Sequence, residues 1–286
     1  MILETGMTTK AKCSSSGRRT LEKIHRADFE NVMLNQTGDR NLKRFITVAQ
    51  EIGLKVPFVH MDCTDISSIW TPDEKQQPFM EYAKSTIELC GDNGVGTVIV
   101  HPSYAKLECC PPNAMGIDNM AQLVRTAEKA GTRIALENMD TTSFPHFETL
   151  LEKIDAPNFG FCFDSGHWNL HMPEKDLLGT YGARLMAVHI HDNLGAQGNP
   201  NPTWQDDLHL LAFDGVIDFD KVAKGIAQSS YDGPVMLESH RSTKFGDYVD
   251  LRPKYFLDAA HNRAMKLTKM IQQHRQCFLS GGSLGK

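Results

Sequence analysis

Six apolar runs of the sequence end on a side chain that can bind a metal ion or transfer a proton. In chain order these residues are His60, His101, Glu137, Asp164, His191 and Glu238. A single histidine in such a place is more often structural. The three acids are the stronger signal, because burying an ionised carboxylate without a partner is energetically costly. A divalent cation among them would remove their mutual repulsion, so the pattern predicts a metal site.

Further ligand-type side chains lie in the segments that follow these runs: His167, Asp207 and His209. His189 shares the inward direction of His191, because alternate residues of a strand face the same way. It lies deeper in its run, so we assign it to core packing or to support of the ligands. A mixed set of carboxylates and imidazoles suits Mn²⁺, Mg²⁺, Co²⁺ or Zn²⁺. We expect one divalent ion, with Mn²⁺ favoured first, and no organic cofactor.

The apolar runs must be the elements that position these groups, and they alternate with longer amphipathic stretches as in parallel βα units. The runs are Ile2–Thr5, Phe29–Leu34, Val56–Met61, Thr97–His101, Arg133–Glu137, Phe159–Asp164, Met186–His191 and Pro234–Glu238. The helical patterns are Asn41–Ile52, Pro78–Cys90, Asn119–Ala130, Phe147–Ile154, Glu174–Tyr181, Asp220–Ser229 and Asp258–His274. Both an open doubly wound sheet and a closed barrel fit eight such units.

The positions of the polar residues decide between the two architectures. A dinucleotide-binding sheet carries G-x-G-x-x-G after an early strand, and no strand–turn–helix junction here has that motif. In a parallel barrel the active-site groups lie at the carboxyl ends of the strands, which is where the six residues fall. We therefore predict an α/β protein, one (β/α)₈ TIM barrel domain over 1–286. The polar, basic segment at about 8–20 is expected to be a loop or a flexible N-terminal arm.

Composition restricts the class of partner. The 286 residues carry a net charge of −5 and no basic cluster, which disfavours nucleic acid as a partner. Seven cysteines without a CxxC pair indicate reduced thiols. The sequence has neither an apolar signal region nor a run of eighteen apolar residues, so we expect a cytoplasmic protein without membrane contact. The terminal helix, Asp258–His274, should close the barrel, and assembly into a homo-oligomer stays open.

Five motifs resemble those of the xylose isomerase-like TIM-barrel superfamily, which includes sugar isomerases, sugar epimerases and endonuclease IV. They are Leu136-Glu137-Asn138, Phe163-Asp164-Ser165-Gly166-His167, His189-Ile190-His191-Asp192-Asn193, Asp207-Leu208-His209 and Leu237-Glu238. Their order and spacing resemble the superfamily from about the second strand to the eighth. As a set they are specific for the superfamily, but they do not single out a substrate.

The resemblance to ketose 3-epimerases and inosose isomerase/dehydratase-type members implies a ligand set and a reaction. One metal ion would be held by Glu137, Asp164, His191 and Glu238, with the two glutamates also forming the catalytic acid/base pair. The implied enzyme is an isomerase or epimerase of a keto-sugar or sugar phosphate, working by proton transfer through a metal-stabilised enediolate. Gln197 replaces an arginine, and Ser143 a glutamate, of the characterised 3-epimerases, which weakens assignment of their particular sugar.

The candidate substrate-binding residues are His60, His101, His167, Trp168, Gln197, Asp207 and His209. The resemblance assigns His167 to substrate binding near the metal. Trp168 follows a strand directly, so its ring could line a sugar pocket, although packing explains it equally well. The expected partner is a small sugar.

Two other activities remain open. Endonuclease IV holds three zinc ions through nine ligands, and the matching residues here are His60, His101, Glu137, Asp164, His167, His191, Asp207, His209 and Glu238. The acidic balance and the scarcity of arginine and aromatic residues in the loops after the strands argue against such a phosphodiesterase. A lyase or dehydratase acting on a keto-sugar or keto-inositol is the other alternative, because enolate chemistry is common to both reactions.

Overall fold

Eight parallel strands form the sheet of this protein, whose computed structural model describes residues 2–11, 13–36, 39–104, 110–241 and 248–281. The strand order is β7-β6-β5-β4-β3-β2-β1-β8, which is the chain order of a barrel. The strands are β1 (Thr5–Thr8), β2 (Asn31–Asn35), β3 (Lys55–His60), β4 (Thr97–Val100), β5 (Arg133–Glu137), β6 (Phe159–Asp164), β7 (Leu185–His189) and β8 (Val235–Leu237). Backbone hydrogen bonds from Ile190 to Met236 and from Glu238 to Ile190 join the first and last members of that order. The predicted (β/α)₈ barrel is confirmed.

Helices cover the outside of the barrel between the strands. Within the described ranges they are α1 (Gly17–His25), α2 (Asp39–Ile52), α3 (Gln76–Asp92), α4 (Ala114–Ala130), α5 (Phe144–Lys153), α6 (Ser165–His171), α7 (Leu177–Tyr181), α8 (Phe219–Gln228) and α9 (Pro253–Leu279). Short 3₁₀ turns occupy Thr9–Ala11, Ile66–Trp70 and Gly182–Arg184. In the part of the chain that the structure describes, no helix has both the length and the apolar character required to cross a membrane.

The strands are apolar because both of their faces are covered. All six residues of β6 are buried, as expected for a parallel strand with side chains inside the barrel and helices outside it. Gly131 ends α4 in the left-handed conformation with φ of 72°, which glycine adopts without strain. The core therefore holds the strand ends in fixed positions around one mouth.

The beginning of the chain differs from the prediction. Strand β1 spans Thr5–Thr8 instead of Ile2–Thr5. A Cβ atom on Gly6 would lie 2.5 Å from Met236 Cε, so the glycine allows close approach to β8 and does not mark a turn. The segment 8–20, expected to be a loop, contains the 3₁₀ turn Thr9–Ala11 and the start of α1. Burial of Leu21 and Ile24 against the core accounts for this order.

Candidate metal centre

Glu137, the last residue of β5, lies at the centre of a cluster of histidines. Its carboxylate is 1% exposed. Oε1 lies 2.9 Å from His189 Nδ1, whereas Oε2 lies 3.1 Å from His60 Nε2 and 3.4 Å from His101 Nε2. The two oxygens therefore face two different sets of ligand-type atoms, as the oxygens of a bridging carboxylate do.

The innermost group consists of Glu137, Asp164, His189 and Glu238, which offer ligand atoms within 4.8 Å of one another. His189 Nδ1 lies 3.6 Å from Asp164 Oδ2 and 3.2 Å from Glu238 Oε2. All four side chains are buried. Three carboxylates and one imidazole form a hard to borderline donor set, which suits Mn²⁺, Mg²⁺, Co²⁺ or Zn²⁺.

Two further groups flank the innermost one. His60 and His101 form a group with Glu137, and their Nε2 atoms are 3.2 Å apart. On the other side, His191, Asp207 and His209 form a group. In that group, Asp207 Oδ2 lies 2.9 Å from His209 Nε2. The cluster therefore extends across the mouth of the barrel.

Asp164 and His167 connect the innermost group to the group around Asp207. Asp164 Oδ1 lies 3.1 Å from His191 Nε2, and His167 Nε2 lies 3.4 Å from Asp207 Oδ2. Asp164 also accepts a hydrogen bond from the backbone N–H of His167 at the start of α6. The D-x-x-H spacing thus places both side chains on the same wall of the mouth.

Two histidines at the end of β7, His189 and His191, both contact carboxylates of the innermost group. His191 was expected as a metal ligand, and His189 as core packing or support of the ligands. His191 Nε2 lies 3.1 Å from Asp164 Oδ1, and His189 Nδ1 lies between Glu137 and Glu238. Strand β7 ends at His189. His191 follows the strand end, where its backbone N–H donates to Ser165 Oγ and its carbonyl accepts from the same hydroxyl.

Two predicted substrate-binding residues do not join the cluster. Trp168 is 6% exposed, donates its indole N–H to the carbonyl of Lys175 and packs against Phe163. It is a packing residue. Gln197 has a φ of 48° in the segment after β7, and no ion pair or hydrogen bond between described residues links it to the cluster.

Lys10 is a member of the site that the sequence did not indicate. Its Nζ lies 3.1 Å from Glu238 Oε1, the oxygen of that carboxylate not directed at His189. Lys10 lies two residues after the end of β1. Because the first strand was predicted at Ile2–Thr5, Lys10 was not expected near the site. Placement of β1 at Thr5–Thr8 would have put Lys10 at the carboxyl face.

Asp164 and the histidines beside it, His167 and His191, stabilise one another's charged forms. Burial raises the pKa of Asp164, but the neighbouring His167 and His191 outweigh it and lower this pKa to about 2. Burial lowers the pKa of His191, but the carboxylates of Asp164 and Asp207 outweigh it and raise this pKa to about 8. Imidazolium ions thus balance the acids when no cation is bound.

We expect the metal-free protein to be most stable at mildly acidic pH and to lose stability as the pH rises or falls from there. The folded pKa of His191, about 8, exceeds its unfolded value of roughly 6.5, so its contribution is complete below that pH and is lost as pH rises through 8. The folded pKa of Asp164, about 2, is below its unfolded value of roughly 3.9, so its contribution is lost as pH falls toward 2. Calorimetry of metal-free protein from pH 2 to 9 measures this. A Tm that does not fall between about pH 6.5 and 9 would contradict the expectation.

Gly166 keeps room for the ring of His191, and its replacement gives a further prediction. A Cβ atom there would lie 1.9 Å from His191 Cε1. We expect Gly166→Ala to displace this ring, to destabilise the protein by about 1–3 kcal/mol and to weaken cation binding in the group around Asp207. Gly96→Ala is the matched control, because its new Cβ would meet only Pro57 O, at 3.7 Å. Thermal melts and metal titration of both variants test this, and equal behaviour of the two would contradict it.

Comparison with known proteins identifies the family. The profile of the family described as a xylose isomerase-like TIM barrel matches residues 11–264. The chain belongs to the xylose isomerase-like TIM barrel family. An uncharacterized protein, y4fM, of Sinorhizobium fredii (strain NBRC 101917 / NGR234) is 29% identical, over 71% of this chain and 64% of its own length. The chain therefore spans somewhat less than two thirds of that relative.

Solved structures of xylose isomerase-like barrels share the fold. The D-psicose 3-epimerase with D-tagatose from Clostridium cellulolyticum H10 superposes with a TM-score of 0.73 at 13% identity, over 96% of this chain and 99% of that one. The IolI protein with a binding zinc atom gives a TM-score of 0.73 at 17% identity, over 95% and 99%. At these identities the likeness concerns the fold.

The chain's own atoms fit the metal ion that the xylose isomerase-like fold implies. His191 Nδ1 and Asp207 Oδ1 are both buried, and neither has a hydrogen-bond partner in the described ranges. The two atoms lie 3.7 Å apart. Buried polar atoms without partners are costly, and a shared cation would satisfy both. In the innermost group the fit rests on the donor set, three carboxylates and one imidazole.

Proposed function

We propose that this protein is a divalent-metal-dependent isomerase or epimerase of a small keto-sugar or sugar phosphate. The observation that carries the proposal is the buried group of Glu137, Asp164, His189 and Glu238 at the mouth of the barrel. Proteins of the same fold include a D-psicose 3-epimerase and a zinc-binding IolI protein, which supports this class of substrate.

Glu137 and Glu238 are the two groups suited to move the proton. Glu137 ends β5 and Glu238 directly follows β8, two separate parts of the barrel wall, so they can approach a bound sugar from different directions. One carboxylate removes the proton from the carbon beside the carbonyl, and the other returns it on the opposite face of the resulting enediolate. A divalent ion in the group, when bound, supplies Lewis-acid polarisation of the carbonyl and the neighbouring hydroxyl.

Neighbouring side chains hold both glutamates in their ionised form. Burial raises the pKa of Glu238, but Lys10, His189 and His209 outweigh it and keep this pKa well below its ordinary value. Burial likewise raises the pKa of Glu137, and the histidines around it, His189 foremost, keep its pKa well below the ordinary value. Each acid is therefore ready to accept a proton at neutral pH.

Isotope exchange tests the proposal. The Mn²⁺-loaded protein is incubated in D₂O with a panel of ketoses and ketose phosphates, and the products are analysed by mass spectrometry and NMR. We expect deuterium at the carbon beside the carbonyl, with the carbon skeleton intact. Loss of water or of a substituent would instead identify a dehydratase or lyase. Absence of exchange with every member of the panel would contradict the proposal.

The three groups of the cluster favour one second candidate, a trinuclear phosphodiesterase. His60 and His101 share Glu137 with the innermost group, and His191 shares contact with Asp164. The three groups hold nine ligand-type side chains and His167 is a tenth, which is more than a single ion needs. The net charge of −5 disfavours a nucleic acid substrate. The number of bound ions per chain distinguishes the two candidates.

A further inference from the structure

The wall of the mouth formed by β1 and β2 carries hydrogen-bond donors that the proposed reaction does not use. Lys10 extends from the turn after β1, and its side chain is 40% exposed. Asn35 ends β2, directly beside His60 at the end of β3. Both lie at the carboxyl face, next to the proposed acid/base and metal-binding groups.

Asn35 faces the inside of the barrel near the innermost group. Met33, two residues earlier on the same strand, places its sulfur 3.1 Å from His189 Nε2, so it points inward. Because alternate strand residues share a face, Asn35 points inward as well, one layer closer to the mouth. Asn35 pairs with His60, one of the candidate ligands, across the neighbouring strands β2 and β3.

The orientation of the Asn35 amide leaves a donor without a partner. Its Oδ1 accepts hydrogen bonds from the hydroxyls of Thr8 at 2.9 Å and Thr9 at 3.4 Å. These bonds direct Nδ2 away from β1, and Nδ2 is buried with no hydrogen-bond partner among the residues described. A buried donor left unpaired costs free energy, which indicates that a bound molecule completes it.

Lys10 is connected to the same network. Its backbone N–H donates to Thr8 Oγ1, the hydroxyl that in turn donates to Asn35. In the described ranges, Glu238 Oε1 is the hydrogen-bond partner of its ammonium group. An ammonium has three N–H donors, so two remain for a ligand in the mouth.

We propose that Lys10 and Asn35 form a subsite for an anionic group of the substrate, a carboxylate or a phosphate. The subsite offers donors only, because the amide oxygen of Asn35 is already occupied by two hydroxyls. A sugar hydroxyl both donates and accepts, whereas a carboxylate or phosphate only accepts and so matches such a pair. The cationic donor strengthens this preference. This inference rests on the proposed function, because it names the substrate class of the same site.

Selectivity between matched substrates tests the subsite. The Mn²⁺-loaded full-length protein is assayed by deuterium exchange with a ketohexose, its 6-phosphate and a ketohexonate. We expect the anionic substrates to be preferred, and Lys10→Gln and Asn35→Asp each to lower the ratio of anionic to neutral kcat/KM on the order of 10- to 100-fold. Lys10→Arg keeps the charge and should retain most of the preference. An effect of a variant on Glu238 lowers kcat/KM for the anionic and the neutral substrate alike, so it cancels in their ratio.

Lys55→Gln is the matched control, because it breaks a lysine–carboxylate pair with Glu4 at the opposite end of the barrel. It should leave the ratio unchanged. Equal loss of neutral and anionic activity in Lys10→Gln would overturn the subsite and leave the proposed function standing. Whichever anionic substrate shows the preference identifies the group as carboxylate or phosphate.

Equilibrium binding separates failure of the subsite from failure of the proposed function. If no substrate exchanges, the proposed function fails, and calorimetric titration with the ketohexose 6-phosphate and the ketohexonate then decides the subsite alone. Binding that weakens on the order of 10-fold or more in Lys10→Gln, at equal metal content, supports it. Binding unchanged by Lys10→Gln and by Asn35→Asp overturns it.

Discussion

Replacing Glu238 or Glu137 by glutamine is expected to lower proton exchange by about 10²–10⁴-fold. Glutamine keeps the shape of the side chain but cannot accept a proton at neutral pH. Each glutamate also belongs to the innermost group, so metal content must be measured together with turnover. Variants that keep their metal and lose exchange would separate proton transfer from metal binding.

A two-base reaction predicts more than a loss of rate. If Glu137 serves one face of the substrate carbon and Glu238 the other, each glutamine variant should lose exchange starting from one epimer and retain it from the opposite one. Loss from both epimers in both variants would instead mean that the glutamates act only as ligands. Glu4→Gln is the control, since Glu4 is also a lysine-paired carboxylate but lies at the amino end of β1. It should leave the exchange rate unchanged.

The acids of this site could be predicted because burial constrains them strongly. Asp164, for example, ends the fully buried strand β6, where an unpaired carboxylate would be costly. The alternation of apolar runs and helical patterns predicted the barrel for a similar reason, since strands covered on both faces must be apolar. Both burial and periodicity can be inferred from the order of apolar and polar residues in a single sequence.

Periodicity could not show that His189, as well as His191, contacts the carboxylates. Both residues face inward, and only the point where β7 leaves the sheet distinguishes them. The pairing of β7 with β6 shifts register between Phe161 and Cys162, so β7 carries one extra residue. Such a bulge depends on neighbouring strands and has no local signature in this sequence.

Two further residues lie elsewhere than the sequence pattern suggests: Lys10 was not predicted at the site, and Trp168 was predicted to line the sugar pocket. Lys10 was assigned to a loop because the segment at about 8–20 is polar and basic, whereas β1 extends to Thr8 and brings Lys10 to the carboxyl face. Trp168 follows a strand as a sugar-binding aromatic would, but its ring packs against Phe163. The contact that places Lys10, with Glu238, is distant in sequence, whereas Trp168 packs within its own βα unit.

Removal of the metal is expected to abolish exchange, and His189→Ala should reproduce that loss. Among the residues that the structure describes, His189 is the one imidazole in contact with all three carboxylates of the innermost group. Its removal should weaken metal binding more than the roughly 10- to 100-fold caused by loss of an outer partner. Chelation followed by Mn²⁺ addition should restore exchange in the wild type. In His189→Ala, restoration at the same low concentration would contradict this assignment.

His209→Ala provides the contrast, because His209 belongs to the group around Asp207 and not to the innermost one. For an isomerase with a single ion, metal analysis should give close to one ion per chain in the wild type, and His209→Ala should keep that ion. Three ions in the wild type, with one fewer in His209→Ala and hydrolysis of a phosphodiester, would favour the phosphodiesterase instead. The number of bound ions thus shows whether the flanking histidines bind metal themselves or only orient the groups that do.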